Sequence, residues 1–221
     1  MKLLPILALF AITAWNAHAD VVIEQKLESA MVNGNMIMKI KGDQARIDMP
    51  SPAGQVTVLM NIKTGDMTTL MHAQKIAMKM NMNAMKAQSE AAQKAAGIDP
   101  SKVEKPKATG TTEKVGEWTA DVYDFNAGGT TGKIWAAKDY PNAQILKDEL
   151  KKLSAASSSG FDPNKLDVPG MVVKSQMTTP AGPVTSTLVK ATQEPVADSE
   201  FSIPAGYNEM KMPTAPGAPA Q

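Results

Sequence analysis

The sequence predicts an α+β domain, an antiparallel sheet with two principal helices, occupying residues 20–207. Three observations predict it. From residue 20 to residue 82 apolar side chains recur at every second position, in short runs closed by Gly, Pro, Asn or Asp; this is the period of half-buried strands joined as hairpins. Two stretches, Asn83 to Ala96 and Ala143 to about Leu153, replace that period with helix formers. The chain has 221 residues and no Cys, enough for one domain that buries roughly 70% of its unfolded surface, with a core that stands without disulfides.

The first residues precede the domain. MKLLPILALFAITAWNAHAD carries one Lys after the start, a largely apolar run from Leu3 to Trp15, and Ala17-His18-Ala19 as the small residues that a signal peptidase reads. Cleavage after Ala19 is expected, with export to the periplasm. A membrane-spanning helix needs roughly 20 apolar residues, and Thr13 and Asn16 interrupt this run too early. The mature protein is therefore expected not to span a membrane.

The strands follow in order. Val21, Ile23 and Leu27 share one face of the first; Met36, Met38 and Ile40 share a face of the next, after Asn33-Gly34. Ala45, Ile47 and Met49 come third, then Val56, Val58 and Met60 beyond the Pro50–Gly54 turn, then Met67, Thr69 and Met71. In the segment from Lys75 to Met82, Ile76, Met78, Met80 and Met82 line one face. The Ala-rich stretch to Ala96 is the first helix, stopped at Gly97. Its thin apolar stripe suits a position over the sheet or near an opening. Residues 98–110 read as a solvated connection.

Strands resume near Thr111, run through Trp118 to Phe125, turn at Gly128-Gly129 and return through Trp135. Asn142 is placed to cap the second helix, whose Ile145, Leu146, Leu150 and Leu153 form one apolar face. A hairpin of Met171–Met177 and Val184–Ala191 turns at Pro180–Pro183, and a last short strand is expected around Phe201 and Ile203. After Tyr207, the Pro/Ala-rich residues 208–221 are expected to be a disordered tail.

Composition excludes some functions. With Lys2 removed by cleavage, the 23 basic residues fall level with the 22 acidic ones, so nothing marks a nucleic-acid surface. Arg46 is the one Arg, where phosphate contacts would call for several. After cleavage His72 alone remains for imidazole chemistry, and neither a G-x-S-x-G elbow nor a phosphate-cradling Gly loop is present. The carboxylates lie scattered on polar strand faces and read as solvated. No catalytic residue and no cofactor is assigned, and the chain is not expected to be an enzyme.

Methionine is the compositional signal, with 16 in the chain. Three readings stand side by side. Met at alternate strand positions can be ordinary core. It can form a deformable apolar cavity, since unbranched thioethers repack around irregular guests. It can also bind soft metal, because thioethers select Cu(I); the candidate ligands are Met78, Met80, Met82 and His72. Neighbouring sulfurs on one strand face sit roughly 7 Å apart, so such a site would need sulfur from an adjacent strand.

The phrases MKIKGDQARIDM (Met38 to Met49), GEWTADVYDF (Gly116 to Phe125), KIWAAKDYP (Lys133 to Pro141), VPGMVVKSQM (Val168 to Met177) and DSEFSIPAGY (Asp198 to Tyr207) together resemble a bacterial secreted family. That family is called domain of unknown function 4412 and is grouped by likeness with the LolA/LppX lipoprotein-carrier fold. The resemblance implies a strongly curved antiparallel sheet, a half-open LolA-like barrel, with helices covering its concave side and an apolar cavity between. It also makes an acyl chain or lipid the expected ligand. Met36, Met38, Ile76, Met78, Met80, Met82, Trp118 and Trp135 are the expected lining. Binding or carriage of that hydrophobic ligand in the cell envelope is the leading functional expectation. A periplasmic copper binder and an envelope interaction module without a small ligand are the alternatives.

Overall fold

The computed structural model describes residues 20–83, 105–127, 130–156, 167–179 and 182–211. The expected signal segment, most of the expected first helix and the Gly128-Gly129 turn lie outside them. Twelve strands form one sheet: β1 (Val21–Glu28), β2 (Asn33–Lys41), β3 (Gln44–Ser51), β4 (Gly54–Asn61), β5 (Asp66–Met71), β6 (Ile76–Asn81), β7 (Lys107–Val115), β8 (Trp118–Ala127), β9 (Thr130–Ala137), β10 (Met171–Thr179), β11 (Gly182–Gln193) and β12 (Asn208–Lys211). Among the described residues, the helix α1 (Ala143–Ala156) joins β9 to β10.

The spatial order is β12-β6-β5-β4-β3-β2-β1-β11-β10-β9-β8-β7. Two antiparallel meanders, β1 to β6 and β7 to β11, are therefore stitched together where β1 pairs with β11. β12 and β7 form the two edges, so the curved sheet stays open. At Gly42 the backbone adopts φ 56°, a left-handed conformation that glycine reaches without steric penalty.

The core sits where α1 meets the sheet. Leu146, Leu150 and Leu153 pack with Val21, Ile23, Met38, Ile40, Ala45, Met60, Met82 and Met171, the stripe that the spacing of the leucines predicts. Asn142 enters this helix at φ 53°, in the left-handed region that Asn tolerates. Its backbone carbonyl accepts the Leu146 N–H at 3.1 Å, so its part at the helix start is played by the main chain.

β8 and β9 bury both of their faces. Val122, Trp135 and Ala137 enter one cluster with Val115, Ala120 and Val173, while Tyr123, Phe125, Ile134 and Ala136 enter another with Val168. A strand buried on both sides shows no simple alternation of apolar and polar residues.

Beyond β11 the chain departs from expectation. Residues 194–207 cross back over the sheet on the face opposite α1. A single 3₁₀ turn, Asp198–Phe201, stands where a strand at Phe201 was expected. Asn208–Lys211, expected within a disordered tail, instead pairs in parallel with β6. Residues 212–221 lie outside the described part.

Candidate functional site

The first meander divides its side chains between two faces of different character. On the α1-bearing face, register aligns three cross-strand rows. The first is Ile40, Ala45, Met60, Met67 and Met80; the second is Met38, Ile47, Val58, Thr69 and Met78. The third holds Met36 on β2, with Met49, Val56, Met71 and Ile76 aligned across β3 to β6. Eight of these fifteen residues are Met, and none is charged. Opposite them, the outward positions of the same strands carry no Met at all.

Burial on this face falls with distance from α1. Ile40, Ala45, Met60 and Met38 are buried. Met67, Met80, Ile47, Val58, Thr69, Met78 and the whole third row are half-buried. Met210 on β12 pairs with Met78 and extends the second row to the sheet edge, where it is 50% exposed. With strands about 4.8 Å apart and same-face residues about 7 Å apart, the fifteen residues span about 19 Å by 14 Å.

Six of the eight expected lining residues, Met36, Met38, Ile76, Met78, Met80 and Met82, thus share one face. The two Trp do not join them. Trp135 is buried in the cluster on β8 to β10, donates from Nε1 to Glu113 Oε2 at 2.9 Å, and carries the Lys174 ammonium 4.4 Å over its ring. Trp118 stacks at a tilt on Tyr140, with ring centroids 4.7 Å apart. Tyr140 and Leu188 touch both this cluster and the α1 core, so the two Trp connect to the Met face only through packed side chains. Met82, 2% exposed, is core.

The metal set Met78, Met80, Met82 and His72 is split by the sheet. His72 follows β5 on the side of Leu70, opposite the methionines, and both its ring nitrogens are engaged there: Nε2 with Thr57 Oγ1 at 2.7 Å and Nδ1 with Tyr207 OH at 2.5 Å. A one-residue offset in a strand changes the face, and β5 and β6 place the sulfurs on one side and the imidazole on the other.

That opposite face holds a polar chain that sequence reasoning missed. Arg46 donates from Nε to Asp48 Oδ2 at 2.7 Å and from Nη2 to Asp48 Oδ1 at 2.9 Å, a two-pronged pair. Its Nη1 donates to the Glu200 carbonyl at 2.8 Å. Thr57 Oγ1 donates to Asp48 Oδ1 and continues the chain to His72 and Tyr207. Asp48, expected as a solvated carboxylate, is 8% exposed. Burial pushes its carboxyl up, but the hydrogen bonds from Arg46 and Thr57 and the Arg46 charge outweigh this and hold it below the usual carboxylate range. The signal available in sequence was Arg46-x-Asp48, a charge pair on one strand face. Alongside, Ile203 and Tyr207 pack on Leu59, Leu70 and Ala77.

Two open pockets lie among the described residues. One of about 270 Å³ lies between β3 to β6 and the returning chain, with Leu59, Thr68, Lys79, Phe201 and Ile203 among its lining. The other, of about 420 Å³, lies by Phe125, Gly132 and Gln176. Neither is lined by an expected cavity residue.

The sequence profile of the family described as "Domain of unknown function (DUF4412)" matches residues 22–207. The chain belongs to this family. No curated protein matches the DUF4412 chain in sequence. Among solved structures, the Mycobacterium tuberculosis lipoprotein LppX is similar at 11% identity and a TM-score of 0.42, covering 81% of this chain and 88% of that one. LprF from Mycobacterium bovis is similar at 11% identity and a TM-score of 0.39, over 86% of this chain and 90% of that one. PNGF-II matches at 12% identity and a TM-score of 0.39 over 87% of the DUF4412 chain, which spans only 31% of PNGF-II. At these scores the likeness bears on neither ligand nor chemistry. Among the described residues, no helix is long and apolar enough to cross a membrane.

Proposed function

We propose that this protein is exported to the periplasm and binds or carries a hydrophobic ligand, an acyl chain or lipid, on the Met-rich face of β2 to β6, without catalysing a reaction. The observation that carries this reading is the segregation of Met: eight of fifteen positions on one face and none on the other. A sheet that needed only apolar filler would draw Met, Leu, Ile and Val to both sides, and the opposite face does use Ile37, Leu59 and Leu70. Met is the side chain that repacks around guests of irregular shape. Its concentration where burial is incomplete suits a surface that closes on a ligand.

Titration of the purified protein with a fluorescent fatty acid tests this reading. Wild type is expected to saturate. Met78→Leu keeps size and apolarity and is expected to bind within about threefold of wild type. Met78→Asp sets an uncompensated carboxylate among apolar atoms and is expected to weaken binding at least about tenfold. A wild type that takes up no acyl probe contradicts the proposal and leaves the copper-binder and interaction-module alternatives. The export half is tested by cell fractionation: a chain beginning at Asp20 in the osmotic-shock fraction is expected, and a full-length chain held in the inner membrane contradicts it.

A further inference from the structure

We infer that Met60, Met67 and Met80 form a binding site for one soft monovalent cation, Cu(I) or Ag(I), built of thioether sulfur alone. The site goes beyond the hydrophobic-ligand reading and does not depend on it. Its basis is register. Met60 on β4 pairs directly with Met67 on β5, and Met67 pairs directly with Met80 on β6. The three side chains therefore project from one face in one cross-strand row, with Met67 in the middle.

Register separates this row from the other two: only here do three methionines stand in direct register on three successive strands. Met78 and Met80, on one strand, are roughly 7 Å apart along it and have no third methionine in register with both. Across strands the spacing drops to about 4.8 Å, and directly opposed Cβ atoms come within about 5.5 Å. Each outer sulfur then needs to swing only about 2.5 Å toward Met67 to reach a common centre at the metal–sulfur bond length of about 2.3 Å. Met has the unbranched, three-torsion side chain to do so.

The surroundings select the ion. The three rows hold no charged residue, and their one polar side chain is Thr69, so a hard divalent ion would meet no carboxylate to replace its water. Soft thioethers favour Cu(I). Met67 and Met80 are half-buried and open a path for the ion, while Met60, buried against the α1 core, anchors the third ligand. His72 is kept from this site by its position on the opposite face.

Anaerobic titration of the purified protein with Cu(I), in competition with the chelator bicinchoninate, tests the site. Wild type is expected to retain one equivalent. Met67→Leu, which removes the central ligand, is expected to cut the affinity at least tenfold, and Met80→Leu serves in its place should that variant fail to fold. Met78→Leu, opposite Thr69 in the next row, is expected to stay within twofold of wild type. Retention is expected to be unchanged between about pH 7 and about pH 5, because a thioether, unlike imidazole, has no proton to lose before it binds. X-ray absorption of the loaded protein is expected to show sulfur ligands only. The inference is overturned by a wild type that yields its Cu(I) to the chelator, by Met67→Leu and Met80→Leu binding as wild type, by Met78→Leu losing as much as they do, or by nitrogen at the metal.

Discussion

Asp48 fixes the direction of every proton in the chain that fastens the returning segment to the sheet. An ionised carboxylate can only accept, so the Thr57 hydroxyl donates to it and is left to accept from His72 Nε2–H. In the neutral imidazole, His72 Nδ1 then accepts from the Tyr207 hydroxyl. Thr57→Val keeps the shape but takes one of two donors from Asp48 Oδ1, which keeps Arg46 Nη2, and leaves the His72 Nε2–H without its acceptor, at an expected cost of about 1–3 kcal/mol. Urea unfolding checks this, with Thr57→Ser expected within about 1 kcal/mol of wild type; equal losses for the two variants would contradict the chain. A carboxyl held lower in the folded than in the unfolded chain stabilises the fold above the unfolded value of about 4, and that contribution is lost as pH falls through the folded value. Between about pH 6 and about pH 3 wild type is therefore expected to lose more stability than Asp48→Asn in denaturant titrations at each pH. Parallel losses would mean that Asp48 is not held low.

At the scale of elements, α1 and β12 are fastened in different ways. α1 is held by apolar burial: Leu150, 2% exposed, sits in the main core, and Leu150→Ala is expected to cost about 2–5 kcal/mol. β12 is held by backbone pairing and the Lys79–Glu209 contact, with all four of its side chains exposed. Truncation after Tyr207 is expected to cost less than Leu150→Ala by at least about 1 kcal/mol, and thermal unfolding of the two variants orders them; a larger loss on truncation would make β12 a structural strand. The same difference explains what could be read from sequence. Leu146, Leu150 and Leu153 announce their helix by spacing, whereas Asn-Glu-Met-Lys has no local pattern and becomes a strand only because the edge of β6 offers it hydrogen bonds. The roles of Arg46 and Tyr207 were hidden for the same reason, since partners 154 and 135 residues away complete them.

At the scale of the molecule, period-two alternation revealed the first meander strand by strand, and it placed six of the eight expected lining residues on one face. It could not place the Trp pair relative to that face, because β8 and β9 are apolar on both faces and alternation carries no facing information there. Nor could it show that β11 would pair with β1, which turns two meanders into one open sheet. The account as a whole rests on the Met face being a ligand surface. Methyl NMR of protein labelled with ¹³C at the methionine methyls tests this most directly, as a long-chain fatty acid is titrated in. The signals of Met36, Met49, Met67, Met71, Met78 and Met80 are predicted to shift together and to saturate, while those of Met31 and Met177, away from the face, stay in place. Stationary signals across the face, or shifts confined to Met31 and Met177, would contradict it.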